Sequence, residues 1–183
     1  MPGNGGIWQN YWMNQPLPTI TLRPALVADA PSIVALIDDL MPFLTLHPDG
    51  AGAEKFIEHC RQPAIEQYLS LPNYAYQLAH IDGELAGVVA MRDNTHLFHM
   101  FVPRALHRRG MARRLWQAAR DASLARGGVT AFTVNSSAYA LPLYESLGFV
   151  ATGPKVETGG IVFVPMRMEL TALITSARSC PDS

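Results

Sequence analysis

With 183 residues, 49% of them apolar, the chain is long enough for one domain with a real core, and wholesale disorder is excluded. Fourteen Lys and Arg stand against fifteen Asp and Glu, and lysine occurs only at Lys55 and Lys155. The basic character is therefore arginine's and concentrates between Arg104 and Arg120, which is narrower than the patch a nucleic-acid surface needs, so no nucleic-acid partner is expected.

The opening "MPGNGGIWQNYWMNQPLP" has no basic segment followed by a continuous apolar run. No later stretch approaches the ~18 apolar residues of a membrane span, and the expectation is a soluble, cytoplasmic protein with no membrane partner. Trp8, Tyr11 and Trp12 are aromatics that a solvated tail rarely keeps, so residues 1–18 read as an extension packing on the domain or on a second copy in a homodimer. The domain itself is expected over 19–170, with a frayed tail at 171–183. Cys60 and Cys180 lack metal-ligand spacing and read as reduced thiols.

"TITLRPA" has the β-branched content of an edge strand. "DAPSIVALIDDLM" then reads as a helix started by Asp29 and Pro31, with Ile33, Leu36, Ile37 and Leu40 on one face. Two short helical patterns follow, "AEKFIEHCR" and "PAIEQYLSL", parted at Pro63 and ended near Pro72. "YAYQLAHIDGELAGVVAMRDNTHLFHMFV" predicts three antiparallel strands with turns at Asp82-Gly83 and Asp93-Asn94. "GMARRLWQAARDASLARGG" predicts a helix with Leu115, Ala118, Ala119 and Ala122 as its apolar stripe, ended by Gly127-Gly128. "VTAFTV" is a strand, "AYALPLYESLGF" a short helix stopped at Gly148, and "IVFVPMRMEL" a strand whose Pro165 suits an edge or a bulge.

A helix opening with "RRGMA" after a strand and a turn presents backbone N–H groups without intrahelical partners at the positive end of the helix dipole. That is an anion site, where Gly110 lets the backbone approach and Arg108, Arg109 and Arg113 can add charge-assisted bonds. It is not a Walker loop, because no Gly-Lys-Ser/Thr follows, and it lacks the spaced glycines of a dinucleotide fingerprint. On the residues alone, a solvated arginine-rich helix start is the competing reading.

"HLFHMFVPRALHRRGMARRLW" followed by "TVNSSAYALPLYESLGF" resembles the GNAT superfamily of acetyl-CoA-dependent N-acetyltransferases, in element order from about Thr21 to Leu170. The resemblance implies an α/β (α+β) fold of GNAT type: a mixed, mostly antiparallel sheet of six to seven strands, splayed at a cofactor notch and flanked by about four to five helices. It implies acetyl-CoA as co-substrate, no metal, and a small-molecule or peptide amine as acceptor. The family's phosphate loop, Gln/Arg-x-x-Gly-x-Gly/Ala, falls on His107, Arg108, Arg109, Gly110, Met111 and Ala112, with His107 departing from the pattern.

The same resemblance assigns the strand Met100, Phe101 and Val102 to the pantetheine arm. A bulge there would splay the strand from "VTAFTV" and leave main-chain groups for a ligand. Met100 N–H is then the donor to the thioester carbonyl. Asn135 matches a cofactor-contacting position, with turn or helix capping as its alternative. Tyr144 in "LYESLGF" becomes the general acid, because a phenol with a reference pKa of about 10 can protonate a leaving thiolate. A core tyrosine on an amphipathic helix is its competing reading. His96, four residues before Met100, is the candidate base, with His99 or water alone as alternatives.

The acceptor pocket is expected from residues 29–73 and 153–162. Asp38, Asp39, Glu54, Glu58 and Glu66 are candidate attractors of a cationic amine there, or else solvated helix faces. A catalytically silent acyl-CoA sensor of the same fold is the alternative function.

Overall fold

A computed structural model describes residues 20–170. The expectations for 1–18 and 171–183, including Trp8, Tyr11, Trp12 and Cys180, lie outside the described residues. The elements are β1 (Ile20–Pro24), α1 (Ala30–Leu40), α2 (Glu54–His59), α3 (Gln62–Ser70), β2 (Tyr74–Ile81), β3 (Glu84–Arg92), β4 (His96–Phe101), α4 (Met111–Arg126), β5 (Ala131–Ser136), α5 (Leu141–Ser146), β6 (Val150–Ala151), β7 (Val156–Thr158) and β8 (Ile161–Glu169). The strands join in the order β1-β2-β3-β4-β5-β8-β6, with β7 also on β8. Every pairing is antiparallel except β4 with β5. The described residues thus hold eight strands, more than the six to seven expected, because β6 and β7 are too short for an alternating pattern to show.

Local chemistry sets the connections. Asp82 and Gly83 (φ 51° and 85°) and Asp93 and Asn94 (φ 51° and 61°) take the left-handed conformations that tight hairpins require. Helix α1 buries Ala30, Ile33, Leu36, Ile37 and Leu40, the predicted face. Asp29 does not cap α1 through its side chain. Its carboxylate instead accepts the Leu26 N–H at 2.7 Å and holds Arg23 through two 2.7 Å bonds, locking the β1–α1 turn. That pairing, chiefly with Arg23, lowers the Asp29 carboxyl to about 2.

Two expectations are corrected by the packing. Helix α4 buries Met111, Leu115, Trp116, Ala119 and Ser123, while Ala118 and Ala122 are only half-buried. The helix is rotated so that Trp116 fills the space between Phe132 and Phe149, at ring separations of 5.0 and 5.1 Å. Pro165 is not on an edge strand, since β8 runs between β5 and the short β6 and β7. Its carbonyl accepts the Thr152 N–H at 2.9 Å, just past β6, but with no N–H of its own it cannot return the second bond of that pair, and the β6 ladder stops there.

The sheet has a core on each face. Leu97, Leu115, Trp116, Phe132 and Phe149 pack on the α4 side, and Ile33, Ile37, Ile65, Leu78 and Val88 on the α1–α3 side. The β7–β8 turn docks against the loop before α2, where the Leu46 N–H donates to the Gly160 carbonyl at 2.8 Å. Among the described residues no helix is long and apolar enough to cross a membrane.

Candidate active site

The parallel contact of β4 with β5 covers only His96 opposite Thr133 and Leu97 opposite Val134. Beyond Leu97 the two strands part. Thr133 N–H donates to the Thr95 carbonyl at 3.0 Å, so the main chain of Thr95 faces β5, and unbroken alternation would turn residues 97, 99 and 101 the same way. Against β3, however, His99 pairs with Ala90 and Leu97 with Met91, which leaves Phe98 as the extra residue of a bulge. The bulge shifts the alternation by one, and the main-chain groups of Met100 and Val102 face the opening toward β5.

A cavity of about 980 Å³ runs through this opening. At one end it is lined by Arg108, Gly110, Met111, Ala112 and Arg113. Gly110, the residue before α4, has φ 79°, and its side of the backbone meets nothing within 4 Å, so glycine answers the left-handed turn there rather than a packing need. No side chain caps α4, and the first intrahelical bond runs from the Arg114 N–H to the Gly110 carbonyl. The amides before Arg114 therefore point outward with the positive end of a 16-residue helix behind them. Arg113 also bonds the carbonyl and hydroxyl of Ser146 at 3.3 Å, tying α4 to α5. Arg109 is exposed and is not in the cavity wall.

Tyr144, on α5, is buried and lines the cavity. Its ring meets Phe149 edge-on at 5.7 Å, and burial pushes its phenol well above the usual tyrosine range. Phe101 and Asn135 line the same space. The turn before α5 is capped by the Ser137 hydroxyl, which accepts the Ala140 N–H at 3.3 Å, so capping does not fall to Asn135.

His96 stands in the cavity wall with Nδ1 2.8 Å from the Thr133 hydroxyl. Burial, with a smaller contribution from Arg92, lowers its pKa below the ordinary 6.5. His99 is enclosed by aromatic rings, stacked on Phe98 at 4.2 Å and bonded to the Tyr76 hydroxyl at 3.0 Å; burial drives its pKa down to about 3. Cys60 also lines the cavity as a buried free thiol, raised to about 12 by the same desolvation.

His107 lines the cavity but spends both ring nitrogens on protein, Nε2 on the Val102 carbonyl at 2.8 Å and Nδ1 on the Tyr139 hydroxyl at 3.0 Å. The Val102 carbonyl thus already accepts one bond from the protein. Tyr139, Thr133 and Arg92 were not singled out in the sequence. No motif marks them, and each acts through a contact between elements distant along the chain.

A mostly antiparallel sheet opened beside a parallel strand pair, with an uncapped helix start at the gap, is the architecture of acyl-CoA N-acyltransferases. A family model described as an acetyltransferase (GNAT) domain matches residues 44–170, and the chain belongs to that family of acyltransferase enzymes. Comparison with curated protein sequences found no match. Similar solved structures include a GCN5-related N-acetyltransferase of Rhodopseudomonas palustris, 20% identical with a TM-score of 0.72 over 86% of this chain and 100% of that one. The PaiA N-acetyltransferase of Thermoplasma acidophilum, solved with coenzyme A, is 13% identical with a TM-score of 0.67 over 83% of this chain and 99% of its own. YncA of Salmonella typhimurium, solved with acetyl-CoA, is 17% identical with a TM-score of 0.59 over 90% and 99%. At these identities the likeness is one of fold.

Proposed function

We propose that this protein moves an acetyl group from acetyl-CoA to a primary amine, by direct attack within a ternary complex, with Tyr144 as general acid. The observation that carries the reading is the convergence on one cavity of the α4 start, the notch-facing main chain of Met100 and Val102, and Tyr144.

The residues present fit acetyl-CoA. Outward amides and Arg108 and Arg113 suit a pyrophosphate, and the freed edge of β4 suits an amide-bearing arm. Bound there, acetyl-CoA supplies an activated acyl group on sulfur. Met100 N–H is aimed to stabilise the charge that develops on the acyl oxygen. Val102 N–H and Asn135 hold the arm, while Phe101 and Met111 close its walls.

As the C–N bond forms and the C–S bond breaks, one proton leaves the amine and one reaches the sulfur. Tyr144 supplies the second from Oη, and burial keeps that proton in place at neutral pH. His96 takes the first at Nε2. In this role Nδ1–H donates to the Thr133 hydroxyl, the tautomer that leaves Nε2 to accept. It lies four positions before Met100 with one bulge between, roughly 10 Å along β4, so water carries the proton between them.

The test is release of free CoA thiol from acetyl-CoA with a panel of amines, with the N-acetyl product identified by mass. A protein that binds acetyl-CoA yet releases thiol with no amine would be a sensor rather than an enzyme of this reaction.

A further inference from the structure

We propose that the acceptor is a monoamine with an aromatic or apolar body and an anionic group that pairs with Arg92, not a polyamine or an aminoglycoside. The inference rests on the acetyltransferase reading and concerns the end of the cavity away from α4.

That end is walled by Leu44, Phe56, Tyr68, Tyr74, Phe98 and Phe163. Among the described residues no Asp or Glu lines the cavity, and Asp38, Asp39, Glu54, Glu58 and Glu66 all lie outside its wall. A ligand with two or more ammonium groups would leave at least one of them desolvated against apolar surface with no carboxylate to pair it. Nor do the rings form a cage for a cation. Tyr68, Tyr74 and Phe98 already touch one another, with centroids 4.9, 5.2 and 5.0 Å apart, and present a wall rather than a gap. Such a wall suits a flat apolar group. It also favours the neutral amine, the form that attacks.

Among the described residues the cations in the cavity wall, histidines aside, are Arg92, Arg108 and Arg113. The last two belong to the α4 start. Arg92 pairs in register with His96 across β3 and β4, and its guanidinium lies over the Phe98 ring, 5.5 Å from the centroid. Its acidic neighbour is the exposed Asp93, at a long 3.5 Å, which leaves the planar fork able to take a carboxylate in two bonds. An anion held there lays the body of the ligand along the aromatic wall, toward Met100.

Thiol release with matched pairs tests this: L-phenylalanine against phenylethylamine and L-tryptophan against tryptamine, with spermidine and kanamycin as polycations. The acid of at least one pair is expected to exceed its decarboxylated partner in kcat/KM by ten-fold or more, and both polycations by more. Arg92→Gln is expected to raise KM for the acid at least ten-fold and to close the gap within the pair, with Arg92→Lys in between. Circular dichroism checks that both variants fold.

Preference for spermidine or kanamycin would overturn the acceptor class while upholding the acetyltransferase reading, and preference for the decarboxylated amines would overturn the role of Arg92. If no amine releases thiol, the acetyltransferase reading falls. Calorimetric binding of the same amines to the CoA-loaded protein then decides the cavity's preference, and weaker binding of the aromatic acids than of spermidine overturns it.

Discussion

His107 donates from Nε2 to the Val102 carbonyl at 2.8 Å and meets the Tyr139 hydroxyl through Nδ1 at 3.0 Å. A carbonyl only accepts, so Nε2 carries the proton and Nδ1 accepts from tyrosine. The loop before α4 is thereby tied to the end of β4 and to the segment before α5. Tyr139 leans on Phe43 at 5.6 Å, and Arg104 covers Phe43 at 4.9 Å. The residue that departs from the family's loop pattern thus serves as a brace between elements.

Removing the brace should loosen the cradle without touching the chemistry. Two hydrogen bonds at about 1 kcal/mol each correspond to a fall in acetyl-CoA affinity of roughly 5- to 30-fold for His107→Ala. Titration calorimetry reads the affinity, and kcat should stay within about three-fold of the parent.

Tyr144→Phe should show the opposite pattern. Loss of a positioned proton donor typically costs about 10²- to 10³-fold in kcat. The ring still fills its place against Phe149, so acetyl-CoA affinity should change little. Unchanged turnover in this variant would remove Tyr144 from the mechanism.

The lowered pKa of His96 makes a prediction with a definite sign. Because the folded value lies below 6.5, His96 stays neutral, and kcat/KM expressed per neutral amine holds its plateau, to a pH below 6.5 before falling as the ring protonates. His96→Gln should abolish that acid limb and leave a slower rate that rises with pH as hydroxide takes over. Steady-state profiles from pH 5 to 9 distinguish the two. A parent limb centred above 6.5 would assign it to another group.

Gly160 tests the docking of the β7–β8 turn. It has φ 71°, and a Cβ there would fall against the backbone of Gly52 and Ala53. Gly160→Ala should cost about 2–4 kcal/mol and lower Tm by roughly 5–15 °C. Scanning calorimetry gives the shift, and an unchanged Tm would mean that the turn is free to move off the loop before α2.

The elements were largely legible because their signals are local. Asp82-Gly83 and Asp93-Asn94 mark turns through backbone conformation, and the α1 face follows from spacing alone. Where the reading missed, a partner distant in sequence had decided the outcome. Trp116 displaced Ala118 and Ala122 from the buried stripe because Phe132 and Phe149 leave a space that an indole fills. Asp29 and Pro31 do start α1, but the Asp29 carboxylate turns to Arg23 rather than to the helix amides, and β6 and β7 exist only because β8 pairs with them.

The sequence by itself determined the order of elements, the helix start at Gly110, and the placing of Tyr144 on a short helix after the fifth strand. Each depends on propensity, periodicity or a short motif, and those act over a few residues. Only the tertiary structure decided which way the main chain of Met100 and Val102 turns, since that hangs on one extra residue, Phe98, in the register with β3. It also decided that the end of the cavity away from α4 is aromatic with one arginine and, among the described residues, no carboxylate. That wall is assembled from α2, α3, β2, β3, β4 and β8, and no single segment of the chain carries the charge balance of the whole.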